Sequence, residues 1–95
     1  MKIIWSAEAK SNYEKIIDDI LASWSVDVAE SFVSKTNELL ELLVSHKHLC
    51  QASFKNPKLR KCIIHRNTSL IYQLDERNKV IEIVAFIDNR SLHNF

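Results

Sequence analysis

Seven side chains in the last third of the chain could handle a charged or reacting group. They are Arg60, Lys61, Arg66 and Arg90, with His65, Asp88 and His93 beside them. A guanidinium meets phosphate or carboxylate oxygens through a planar fork of N–H donors, and a lysine supplies a point charge. The four cations therefore suit the stabilisation of negative charge, on a nucleic-acid phosphate or on an acidic protein surface. His65 and His93 could move protons near neutral pH. Asp88 could act as a base, or could simply pair with Arg90 at a strand end. Arg60 and Lys61 enter one β-rich run, Arg66 leaves it and Arg90 leaves another. The expectation is that the four cations converge on one surface held by a rigid sheet.

The elements that would position them can be read from residue spacing. Three β-rich runs close the chain, over 59–66, 69–75 and 80–88, and a short one, 2–5, opens it. Leu70, Tyr72 and Leu74 alternate along the second closing run, and Ile81, Ile83, Ala85 and Ile87 along the third. Both faces of that last run are largely apolar, which suits a strand inside the sheet rather than at its edge. Between them lie two amphipathic helical patterns. Ala9, Tyr13, Ile16, Ile17, Ile20, Leu21 and Trp24 form one apolar stripe, and Val28, Phe32, Val33, Leu39, Leu40, Leu43 and Val44 the other. Ser6 suits the N-cap of the first helix, and Asp27 with Glu30 reads as a capping box for the second. So short a link makes the helices an antiparallel hairpin. The expected core is Ile17, Leu21, Phe32, Leu40, Leu70, Tyr72, Ile83 and Ala85, and Trp24 reads as a core aromatic as well. Residues 49–58 have no regular pattern, Asn56-Pro57 favours a turn, and Asn78 is expected to take a left-handed conformation in the last hairpin loop.

Ninety-five residues are enough for one domain with a modest core, here 1–95. No apolar run approaches the ~20 residues of a membrane span, and no signal peptide is expected. Glycine is absent, which excludes glycine-rich nucleotide loops of the Walker and Rossmann types. Cys50 and Cys62 are too few for a disulfide scaffold and lack zinc-site spacing; the expectation is two reduced thiols in the cytoplasm. The net charge is only +1, but it is segregated: from His46 to Arg66 there are six Lys/Arg, three His and no acid. An anionic partner on one face is the implication.

Several segments resemble, in order, the RelE/ParE superfamily of toxins from type II toxin–antitoxin systems. They are Ile3-Ile4-Trp5-Ser6, Leu59-Arg60-Lys61, Ser69-Leu70-Ile71-Tyr72 and Phe86-Ile87-Asp88-Asn89-Arg90. The resemblance implies an α+β fold of order β-α-α-β-β-β, an antiparallel helical hairpin packed on a small, mainly antiparallel sheet. It implies a growth-inhibiting toxin held by a cognate antitoxin, with no cofactor, metal or membrane involved. ParE-like members inhibit DNA gyrase, and RelE-like members cleave messenger RNA in the ribosome. Message cleavage by a 2′-hydroxyl needs a base, a stabiliser of phosphate charge and an acid. The four cations serve the second task, but Asp88 stands where the superfamily often carries a histidine. The balance tips slightly toward gyrase-directed, non-nuclease inhibition; a RelE-like endoribonuclease is the alternative, and a protein-binding module without toxicity a further one. Homodimers and toxin–antitoxin hetero-oligomers are both compatible with this reading.

Overall fold

A computed structural model describes residues 1–65 and 67–89. The chain runs β1 (Lys2–Trp5), α1 (Ala7–Ser23), α2 (Val26–Ser45), β2 (Gln51–Ala52), β3 (Leu59–His65), β4 (Thr68–Asp75) and β5 (Val80–Asp88). The strands form one sheet in the order β1-β5-β4-β3-β2. Only β1 and β5 are parallel; the other neighbours are antiparallel. Both helices pack on one side of this sheet, so the expected α+β architecture is observed with one strand more than the sequence reading allowed.

Local chemistry explains the helix ends. Ser6 caps α1, its hydroxyl accepting from the Ala9 amide at 2.9 Å, as expected. The cap of α2 is Ser25 and not Asp27: the Ser25 hydroxyl accepts from Val28 N, and Asp27 lies inside the first turn. Serine wins because Val26 is already helical, which places the first free amides within its reach. Asp27 still favours the positive end of the helix dipole. In the last hairpin loop the positive φ falls on Lys79, at 55°, rather than on Asn78. Asn78 is occupied by Asp75, whose carboxylate accepts from both its backbone and side-chain nitrogens.

The core lies between the helices and the sheet. Phe32, Leu43, Leu70, Tyr72, Ile81, Ile83 and Phe86 are buried there, with Ile17 and Leu40 packed at its margin. Trp5, Tyr13, Phe32 and Phe86 form an aromatic cluster with ring centroids 5.1–6.5 Å apart. Leu21 and Trp24 are not core residues: they sit at the hairpin tip, and Trp24 is 75% exposed. Ala85 is only half-buried, because a bulge shifts the pairing of β5 between Ile71 and Tyr72. Ile81 and Ile83 face the core in alternation, the extra residue breaks the phase, and Phe86 takes the core position that Ala85 would have held. The carbonyl of Val84, at this bulge, accepts from the Ser6 hydroxyl at 2.7 Å, and the Phe86 amide donates to the Asn12 side chain at 3.1 Å. Two polar clasps therefore fix α1 on the sheet.

The cysteines are joined in a disulfide, contrary to the expectation of reduced thiols. The reason is β2. Gln51 pairs with Lys61 and Ala52 with Arg60, so the next step of this antiparallel ladder sets Cys50 opposite Cys62, with Cα atoms 5.3 Å apart. No described helix is long and apolar enough to cross a membrane.

Candidate functional site

Of the four candidate cations, Arg60 and Lys61 are described, and these two face opposite sides of the sheet. Arg60 and Lys61 are neighbours on β3, and neighbouring strand residues point to opposite faces. Arg60 is paired with Tyr72, on the helix side; Lys61 is paired with Ile71, on the open side. His65 ends the same strand, four residues beyond Lys61 and so ~13 Å away along it. Arg66, Arg90 and His93 lie outside the described residues.

Arg60 is engaged in holding the backbone. Its Nη1 donates to the Cys50 carbonyl at 2.6 Å and to the His48 carbonyl at 3.4 Å. Beside it, the buried Tyr72 hydroxyl donates to the Lys47 carbonyl at 2.8 Å and accepts from the Cys50 amide at 3.4 Å. Burial pushes the Tyr72 phenol above its ordinary pKa, opposed by the Cys50 hydrogen bond and by the nearby Arg60 charge. Lys47 reaches outward to Glu76 at 2.7 Å, which holds the Glu76 carboxyl below the usual range. These contacts and the disulfide pin the segment that leaves α2. Spacing could not reveal the role of Tyr72, since its alternation signals only a core strand.

On the other face, Lys61 stands in a different setting. Gln51, Ala52, Phe54, Lys61 and Ile63 line a shallow depression along β2 and β3. Phe54 is 94% exposed and Ile63 70%. Lys55 and Lys58, in the loop between the two strands, are exposed as well. The result is an exposed apolar pair beside Lys61, in a stretch that carries further lysines and no acidic residue. Large exposed apolar side chains in a cationic stretch suit a protein surface better than a bare phosphate. Phe54 lies in the segment whose spacing carried no periodic signal, and for that reason it was not a sequence candidate.

A third group stands at the far end of the sheet. Thr68 pairs with His65 on one side and with Asp88 on the other. Two strand spacings separate His65 from Asp88, roughly 10 Å between backbones. Next to them, the buried Ser69 hydroxyl donates to Asn89 Oδ1 at 2.7 Å, and Asn89 N donates to the Asn67 carbonyl at 2.8 Å. The described residues thus offer charge stabilisation at one end of β3 and titratable groups at the other.

Comparison with known proteins adds a family and a fold. The family model described as the ParE toxin of the type II toxin–antitoxin system, parDE, matches residues 3–92. Among solved structures, one titled as the chromosomal ParDE system of P. aeruginosa has 19% identity and a TM-score of 0.70, covering 93% of this chain and 95% of its own. A YoeB/ParE toxin from Agrobacterium tumefaciens has 12% identity and a TM-score of 0.64, covering 94% and 99%. A YoeB dimer from Staphylococcus aureus has 18% identity and a TM-score of 0.65, covering 92% and 94%. No curated protein sequence matches.

Proposed function

Since the chain belongs to the family of ParE toxins of type II toxin–antitoxin systems, we propose that it arrests growth by binding DNA gyrase rather than by cleaving messenger RNA. The observation that carries this reading is the exposed pair Phe54 and Ile63 beside Lys61 on the open face, in a stretch rich in lysine. Apolar anchors in a cationic stretch match an acidic protein surface that has its own apolar pockets. The dispersal of the described proton-transfer candidates supports the same reading. A general acid or base must come within about 3 Å of its proton, directly or through one water. His65 and Asp88 stand two strand spacings apart on either side of Thr68, and His65 is four residues from Lys61 along β3. Arg66 and Arg90 remain candidates for the target surface, as the ends of β3 and β5 lie beside them in sequence.

The partner in the resting state is a cognate antitoxin. Its segment crosses the hairpin tip, where Leu21, Trp24 and Val26 are exposed, and runs on to the basic sheet edge. The complex resides in the cytoplasm, as a toxin–antitoxin hetero-oligomer.

Purified gyrase provides the test. The protein is expected to inhibit DNA supercoiling, and Phe54→Ala with Ile63→Ser is expected to raise the required concentration by about tenfold or more, as loss of two interface anchors would. Unimpaired supercoiling at saturating protein would refute gyrase as the target. Ribosome-dependent message cleavage by the same preparation would favour the RelE-like alternative.

A further inference from the structure

We infer that the Cys50–Cys62 disulfide is a thiol-exchange site, and that its reduction opens the outer edge of β3. The bond lies where the sheet is weakest. β2 has two residues, against seven in β3, eight in β4 and nine in β5. Around the bond, β2 is held by its two-residue pairing with β3 and by contacts from the residues that flank it. Ser53 N donates to the Leu59 carbonyl at 2.8 Å, and Arg60 and Tyr72 grip the backbone of Cys50. All of these contacts converge on the segment that the disulfide closes. Cys62 is part of the buried core and Tyr72 of β4 bonds the Cys50 backbone, but the aromatic cluster contains neither cysteine and the β4–β5 ladder is paired along its whole length without them. Breaking the bond therefore loosens one edge and leaves the core standing.

Access is one-sided. Cys62 is 2% exposed, whereas Cys50 is half-buried, so an attacking thiolate enters at the Cys50 sulfur. A dithiol reductant is the matching reactant. Its first thiolate attacks the Cys50 sulfur and forms a mixed disulfide, and Cys62 leaves as a thiolate that takes up a proton. The second thiol of the reductant then displaces Cys50, which is protonated in turn. Two electrons and two protons pass to the protein, and the reductant closes to its own disulfide. With the bond open, β2 detaches, the one-armed grip of Arg60 on residues 48–50 is released, and β3 presents backbone groups to which an added strand can pair.

Hydrogen exchange read by mass spectrometry tests this without reference to toxicity, so the outcome is separable from that of the gyrase reading. The intact chain is compared before and after dithiothreitol, and again after glutathione disulfide, with free thiols counted at each stage. The expected result is no free thiol at first. After reduction, exchange over residues 50–54 and 59–62 accelerates by about tenfold or more, that over β4 and β5 is unchanged, and reoxidation reverses the change. The Cys50→Ser, Cys62→Ala double variant should match the reduced chain. Free thiols in the untreated protein, unaltered exchange on reduction, or equal acceleration throughout β4 and β5 would each overturn the inference.

Discussion

Truncating Phe32 to alanine should remove a large part of the stability of this fold. Phe32 is buried on α2 and meets two other rings, Tyr13 at 5.5 Å and Phe86 at 6.5 Å. Losing a fully buried phenyl group forfeits its transfer free energy, about 1.5–3 kcal/mol, and leaves a cavity that close-packed neighbours fill only in part. The combined cost is roughly 3–5 kcal/mol. A small domain has about 5–15 kcal/mol in total, so the variant would be left with a narrow margin. With a urea m-value of about 2 kcal/mol/M, the unfolding midpoint should fall by about 2 M. Phe54→Ala is the matched control: the same atoms are removed from a side chain that solvent already surrounds, and the change should stay within about 0.5 kcal/mol. Urea unfolding followed by circular dichroism measures both. An unchanged midpoint for Phe32→Ala, or an equal loss for Phe54→Ala, would refute the assignment of the core.

Ser6→Ala should cost about 1–2 kcal/mol in the same assay, since the hydroxyl both caps α1 and donates to the Val84 carbonyl at the bulge. Tyr72→Phe should cost about 1 kcal/mol and selectively speed exchange around Lys47 and Cys50, whose backbone groups lose their partner. Burial raises the pKa of Tyr13 and Tyr72, so the native phenols keep protons that the unfolded ones release from about pH 10. Their contribution is therefore complete below that pH and lost as pH climbs through the native values, which ultraviolet tyrosinate titration can follow. Asp75 and Glu76 are shifted the other way, Asp75 by Asn78 and Glu76 by Lys47; stability should decline as pH falls below the ordinary carboxylate range.

Much of the fold was legible because periodicity reports one-sided burial. The stripe containing Phe32 and Leu43 and the alternation of Leu70 and Tyr72 both fell on the core. The failures have physical causes. Two-residue β2 is too short to show alternation, so both the strand and the cysteine pairing it imposes were invisible. The bulge in β5 reversed the phase of alternation between Ile83 and Phe86, which misplaced Ala85. Leu21 and Trp24 obey the helical period, but the hairpin extends past the sheet contact that would have covered them. At the site, charge content was readable and direction was not. Arg60 and Lys61 share a motif yet serve opposite faces, and the exposed Phe54 is a feature only the three-dimensional arrangement reveals.

The most direct test of non-nuclease inhibition is to map message ends in cells that express the chain under an inducible promoter, with and without its neighbouring reading frame. The expected result is growth arrest with no new codon-phased ends, relieved when the neighbouring product is supplied. Codon-phased cleavage that accompanies arrest, and that vanishes in Arg90→Ala, would contradict it and identify the chain as a message-cleaving toxin.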